Sequence, residues 1–221
     1  MRLNKFLSQH TELSRRSADK AIENGRIKIN GKIANLGEEV NDQSVVLLDN
    51  QPIVVRDSVK TTIILNKPVG YVCSRNGQGS RTVYELLSDD LQHLNCVGRL
   101  DKNSSGLLVF TNDGELANQL THPSFGKVKI YEVELNKSLL PLHQQMINDI
   151  GINLEDGPSK LILEKLQNDK SFKITMREGR NRQIRRTFAA LGYDITKLHR
   201  TNLGNYTLTG IRPGKVSLIN L

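Results

Sequence analysis

The sequence predicts an α+β protein, in which a small module of helices and sheet precedes a larger domain built on a mixed, largely antiparallel sheet with flanking helices. Three observations carry this. At 221 residues the chain can bury a sizeable core and still hold a small second module. Strand-like and helix-like segments do not alternate regularly, which argues against a doubly wound fold. Charge also reverses early: residues 1–32 hold eight Lys/Arg against three acids, and residues 33–60 hold two against five.

Taken in order, Leu3, Phe6 and Leu7 lie at helical spacing. Ser14 suits the N-cap of a second helix running to about Asn24, with Ala18, Ala21 and Ile22 inward and Gly25 as the stop. Alternation in Arg26-Ile27-Lys28-Ile29 predicts a strand, and Asn30-Gly31 is the preferred pair for a tight hairpin turn. Residues 1–50 therefore form the first module, residues 51–61 read as a linker, and residues 62–221 form the larger domain.

In that domain Ile63-Ile64-Leu65 predicts a strand that ends in the Pro/Gly turn Asn66 to Tyr71. Further strands are expected at Leu107–Thr111, Val128–Leu135, Leu161–Leu166, Phe172–Met176 and Ile195–Leu198. Helices are expected at Thr82–Leu87, Gly114–Leu120, Leu139–Ile147 and Arg182–Leu191.

A net charge of +8, with one basic stretch concentrated in residues 1–32 rather than over the whole first module, points to a polyanionic partner, with nucleic acid first. Cys73 and Cys96 lack the paired spacing of a zinc site and cannot build a disulfide framework; both read as packing residues in a reduced, cytoplasmic protein. The first residues lack an apolar signal core and no run reaches membrane-spanning length, so no membrane association is expected.

Three segments carry chemistry. Gly98-Arg99-Leu100-Asp101-Lys102 presents one acid between basic groups, which favours the carboxylate and makes Asp101 a nucleophile or base rather than a proton donor. Lys129-Ile130-Tyr131-Glu132-Val133-Glu134-Leu135 puts Tyr131, Val133 and Leu135 on one strand face. In Glu178-Gly179-Arg180-Asn181-Arg182-Gln183-Ile184-Arg185-Arg186 arginines crowd a helix start. They oppose the macrodipole there unless an anion meets them, either RNA phosphate or a carboxylate such as Asp101. Taken singly, Asp101 could be a loop cap, Tyr131 a core tyrosine and the arginines a solvated face.

The order Arg2-Leu3-Asn4-Lys5-Phe6-Leu7, Ser14-Arg15-Arg16-Ser17-Ala18 and Gly25 through Lys32 resembles the S-four RNA-binding domain. That resemblance implies phosphate contacts by Arg15, Arg16 and Lys20, which position RNA without reading its sequence. Downstream, Gly98-Arg99-Leu100-Asp101 with Ser104, Gly106-Leu107-Leu108, Thr111 through Leu116, His122-Pro123, Lys129, Tyr131 and Glu178 through Arg186 resemble the RsuA/RluB-type bacterial ribosomal RNA pseudouridine synthases. Ser104 stands where threonine is common in that family, a change that keeps the hydroxyl.

This second resemblance implies isomerisation of one uridine in folded RNA, with the base detached, rotated and rejoined through carbon. Asp101 would be the catalytic aspartate, by attack on the anomeric carbon, addition to the pyrimidine ring or abstraction of a sugar proton. Arg185 would pair with Asp101, Tyr131 would stack on the flipped uracil, and Arg99 would enter the vacated space. Lys67, Lys129, Arg180 and Arg182 would contact RNA. No cofactor enters this scheme, since no electrons are transferred and no leaving group needs a metal. The expected partner is ribosomal RNA or a ribosomal assembly intermediate, met by a monomer. Segments 76–83 and 204–208 look more like the members that modify the large subunit, which favours 23S rRNA over 16S rRNA or tRNA. A different class of reading is a non-catalytic assembly factor that keeps the fold for RNA binding.

Overall fold

Two helices open the chain, α1 (Leu3–His10) and α2 (Arg15–Glu23), and local chemistry sets the limits of the second. The Ser14 hydroxyl accepts from the Ser17 amide at 3.2 Å, and Gly25 follows with φ +68°, a left-handed stop. Leu3 and Leu7 on α1 pack with Ala18, Ala21 and Ile22 on α2 in one buried cluster. Four short strands complete the unit: β1 (Ile27–Ile29), β2 (Lys32–Ile33), β3 (Val46–Leu48) and β4 (Gln51–Pro52), in the order β2-β1-β3-β4. Asn30 and Gly31 both have positive φ at the β1–β2 turn, as a two-residue hairpin of this sequence requires.

The computed structural model describes residues 1–55 and 59–219, and the chain divides into two units, Met1–Val59 and Lys60–Leu221. Of the linker expected at 51–61, Gln51 and Pro52 are drawn into the first sheet by pairing with β3, and residues 56–58 lie outside the described residues.

The second unit contains β5 (Thr62–Lys67), β6 (Asn95–Val97), β7 (Ser105–Thr111), α3 (Gly114–Thr121), β8 (Lys129–Leu135), α4 (Pro141–Gln145), β9 (Ile152–Leu154) and β10 (Gly157–Ser159). After these come β11 (Ile162–Lys165), β12 (Ser171–Met176), α5 (Gln183–Ala189), β13 (Ile195–Leu203), β14 (Tyr206–Thr207) and β15 (Val216–Ile219). The main sheet runs β11-β12-β8-β13-β7-β5-β15, with β14 on β13 and β6 on β7, while β9 and β10 form a separate hairpin. Only the β13–β7 pair of this sheet is parallel among the described strands, so the sheet is mixed and largely antiparallel.

Continuous apolar runs in β5 and β7 follow from burial on both faces. Ile63, Leu65, Leu108 and Phe110 face one cluster, while Ile64, Leu107 and Val109 face another. Gly106 is required where β7 meets β13: a Cβ there would lie 2.2 Å from the Arg200 carbonyl oxygen. That contact fixes the backbone of Arg200 against the strand that begins just after the Asp101 loop.

Some expected helices are shorter or of another type. Residues 82–87 make a 3-10 turn, Val83–Leu86, held by the Thr82 amide on Glu85 at 2.6 Å. The expected helix 139–147 starts at Pro141, whose fixed φ suits the first helical position, and continues as a π-helical turn over Met146–Ile150. The strand expected at 195–198 runs on to Leu203, because both neighbours, β8 and β7, supply backbone partners beyond Leu198.

Candidate active site

Asp101 sits in the turn between β6 and β7, and that turn is strapped from several directions. Lys67, fully buried at the end of β5, donates from Nζ to the carbonyl oxygens of Ser104 at 2.6 Å and of Pro68 and Asp101 at 3.1 Å each. Gly70 N–H donates to the Lys102 carbonyl at 2.7 Å, and Leu100 anchors the turn in the main core. Cys73 Sγ donates to the Leu100 carbonyl and accepts from its amide, both at 3.3 Å. The backbone around Asp101 is therefore held while its carboxylate stays about one-third exposed.

Lys67 is thereby removed from the expected RNA contacts. Its ammonium is consumed by three carbonyls inside the protein, and burial pushes it below the usual lysine range. A cation chelated this way sets the shape of a loop and cannot reach a phosphate.

The expected partner of Asp101 is also corrected. Arg182, not Arg185, meets the carboxylate, with Nη1 3.4 Å from Oδ2. Arg182 precedes α5 with φ +45°, a left-handed backbone that turns its side chain back toward the 101 turn. Arg185, one turn along α5, instead donates to the carbonyl oxygens of Asn103 at 2.8 Å and Ile195 at 3.0 Å, and to Ser104 Oγ at 3.4 Å. It ties β13 and the Asp101 turn to the helix; burial and the Arg182 charge push it down, while nearby Asp101 pulls it back up.

The crowded arginines find carboxylates. Asp156, at the tip of the β9–β10 hairpin, accepts from Arg186 at 2.7 and 2.9 Å and from Arg180 at 2.9 Å, and these cations, Arg186 foremost, hold it below the usual carboxylate range. Arg180 also donates to the carbonyls of Asp156, Gly157 and Pro158. Its Nη atoms are engaged by the hairpin and by Glu178, while its Nε is buried without a partner and the residue lines the pocket beside Asp101. Sequence reasoning missed Asp156, which follows Glu155 and whose only signal is the turn sequence Glu155-Asp156-Gly157 around it.

Tyr131, on the interior strand β8, is 8% exposed and packs in the main core with Val133 and Leu135. Its ring lines a pocket of about 600 Å³ together with Asp101, Arg99, Lys129, Arg182 and Arg185. Its hydroxyl has no hydrogen-bond partner among the described residues, so it is available to a ligand. Arg99, exposed beside Gly98, is likewise without a partner among the described residues. Lys129 Nζ rests on the carbonyls of Glu178 at 3.2 Å and Arg177 at 3.4 Å, pushed down by burial and by the Arg200 charge. The structure thus brings together Asp101, Tyr131, Arg99, Lys129, Arg182 and Arg185, all in the second unit.

In the first unit Arg15, Arg16 and Lys20 are exposed on α2, with Arg15 Nη2 3.3 Å from Asn4 Oδ1. Among the described residues no group of His, Cys, Asp and Glu is arranged to hold a metal ion, and no helix is long and apolar enough to cross a membrane. Cys96 Sγ donates to the Gly98 carbonyl at 3.2 Å, and the interaction between the Cys73 and Cys96 thiols brings Cys73 down to about 6 and raises Cys96.

Comparison with known proteins gives a consistent picture. Residues 61–190 match the family model described as RNA pseudouridylate synthase, and residues 1–46 match the S4 domain. An uncharacterized RNA pseudouridine synthase of Aquifex aeolicus (strain VF5) is 37% identical, over 100% of this chain and 90% of that protein. The dual-specificity RNA pseudouridine synthase RluF of Escherichia coli (strain K12) is 36% identical, over 97% of this chain and 74% of its own length. The ribosomal large subunit pseudouridine synthase B of Bacillus subtilis (strain 168) is 34% identical, over 96% and 89%. A solved pseudouridylate synthase superposes with a TM-score of 0.71 at 29% identity, covering 100% of this chain and 96% of that one.

Proposed function

Because this chain belongs to the RNA pseudouridylate synthase family and carries an S4 domain, we propose that it isomerises a uridine of 23S ribosomal RNA through Asp101. The observation that carries this reading is the shared pocket in which a carboxylate gripped by Arg182 stands with the ring of Tyr131.

The target nucleotide leaves its stack and enters this pocket, where Tyr131 packs on the uracil face and Arg99 fills the gap left in the RNA. The N1–C1′ bond breaks and a C5–C1′ bond forms; the proton on C5 is lost and N1 gains one, so the change is an isomerisation. Attack on the anomeric carbon, addition to the ring and removal of a sugar proton all begin from a carboxylate, and Arg182 orients it for any of them. Arg185 and Lys67 act as positioning residues through the backbone of the turn. Lys129 meets phosphate at the rim, and Arg15, Arg16 and Lys20 add phosphate contacts from the S4 domain. The protein acts as a cytoplasmic monomer on rRNA or an assembly intermediate and uses no cofactor.

The test is pseudouridine mapping of separately purified 23S rRNA, 16S rRNA and tRNA after incubation with the protein. Conversion in 23S rRNA is the expected result. Conversion confined to 16S rRNA or tRNA would reassign the substrate.

A further inference from the structure

Arg200 lines the active-site pocket and has no part in the reading above. It is 3% exposed, yet among the described residues no carboxylate pairs with it. Its Nε donates to the Leu107 carbonyl at 2.9 Å, which fixes the plane of the guanidinium, and its Nη2 is buried without a hydrogen-bond partner. A buried charge with an unused donor is costly, so such a group persists where a ligand completes it.

Its place in the sheet says which part of a ligand that is. Arg200 is the direct cross-strand partner of Tyr131 in the antiparallel β13–β8 pair, so both side chains rise from the same face. The Arg200 backbone lies hard against β7, where Gly106 leaves no room even for a Cβ and the strands are paired. A base packed on Tyr131 therefore presents its edge to Arg200. Deep burial favours the base over the backbone phosphates, which stay at the rim. The charge of Arg200 also lowers Lys129, so the pocket holds two like charges that an electron-rich ligand relieves.

Resting on the pseudouridine synthase reading, we propose that Arg200 is a catalytic residue that donates to a carbonyl oxygen of the flipped uracil and stabilises the negative charge gathering there. The chemistry requires such a group whichever route Asp101 takes. When the N1–C1′ bond breaks, its electron pair stays on the base and spreads over O2 and O4. When a carboxylate adds at C6 instead, the electron pair moves to O4 as an enolate. A fixed donor aimed at that oxygen is worth more in the transition state than in the ground state.

The experiment compares the wild-type protein, Arg200→Met and Arg200→Lys on two RNAs, one carrying uridine and one carrying 5-fluorouridine at the target. It reads single-turnover breakage of the N1–C1′ bond at saturating RNA, RNA Kd, and thermal unfolding. Fluorine at C5 withdraws charge from the anionic base and makes it less dependent on an external cation. Arg200→Met is expected to slow breakage on the uridine RNA about 100-fold with little change in Kd, and to recover about tenfold of that loss on the fluorinated RNA. Arg200→Lys, which keeps the charge with poorer geometry, falls between the two and recovers in the same direction. If Arg200→Met proves unfolded, the recovery in Arg200→Lys decides. Equal slowing on both RNAs, a loss confined to Kd, or full activity in the variants would overturn the proposal. Failure of the wild-type protein to isomerise uridine in any RNA would instead sink the functional reading on which it rests.

Discussion

The ammonium of Lys67 donates to the carbonyl oxygen of Asp101 at 3.1 Å, so the residue proposed to do the chemistry is held by its own backbone from a strand well before it in the chain. Lys67 binds Ser104 and Pro68 as well, and thus sets the curvature of the whole turn. Lys67→Met would leave three carbonyls without a donor and is expected to cost about 3 kcal/mol of stability. The salt dependence of RNA binding should stay unchanged, since no phosphate contact is lost. Urea unfolding and binding at several salt concentrations check both; a flatter salt slope would return Lys67 to the RNA interface.

Arg182 holds the Asp101 carboxylate at 3.4 Å from a left-handed backbone, φ +45°. Arg182→Gly should therefore raise stability by about 1 kcal/mol by relieving that conformation. It should also lower kcat about tenfold, as expected for one lost charge-assisted hydrogen bond. Thermal unfolding and steady-state rates on the same preparation test this; unchanged kcat would remove Arg182 from the orientation of Asp101.

What was legible in the sequence was local. Ser14, Asn30-Gly31 and the alternation around Tyr131 each act through near neighbours, and each element appears where its residues predict it. The turn proposed to carry the chemistry is also marked in the sequence by Gly98-Arg99-Leu100-Asp101. The sequence could not say which arginine meets Asp101, because that depends on the left-handed residue at the start of α5. Lys67 is expected among the RNA contacts from the sequence; its three acceptors are backbone carbonyls, which carry no side-chain signature that would mark a buried cation. Arg200 did leave a signal: it lies two residues beyond Leu198, so a strand extended past 198 puts both on one face.

His199, on the opposite face of β13, has Nδ1 2.9 Å from Ser105 Oγ, and burial pushes its pKa below the usual imidazole value; Glu132 opposes and Lys197 assists that shift. The unfolded chain thus binds a proton more readily than the folded one. Stability should rise with pH between the folded value and about 6.5, and be lost as pH falls through that window. His199→Gln should flatten this part of the profile, as read by urea unfolding from pH 5 to pH 7.5. A wild-type profile already flat there would contradict the assignment.

Arg15, Arg16 and Lys20 are exposed on α2 and are proposed to act only through phosphate. Changing all three to Gln should weaken RNA binding and reduce the slope of log K against log salt by about three, with the saturated rate preserved. A fall in the saturated rate without a change in slope would mean that the S4 domain does more than grip RNA.

The Asp101 carboxylate is proposed to carry the isomerisation. Asp101→Asn keeps the size of the side chain and the backbone hydrogen bonds of the turn while removing the charge. Pseudouridine mapping of 23S rRNA treated with this variant, beside the wild-type protein, is the direct measurement. Conversion by the wild-type protein and none by Asp101→Asn at equal RNA occupancy is the expected result; conversion by the variant at the wild-type rate would remove Asp101 from the chemistry.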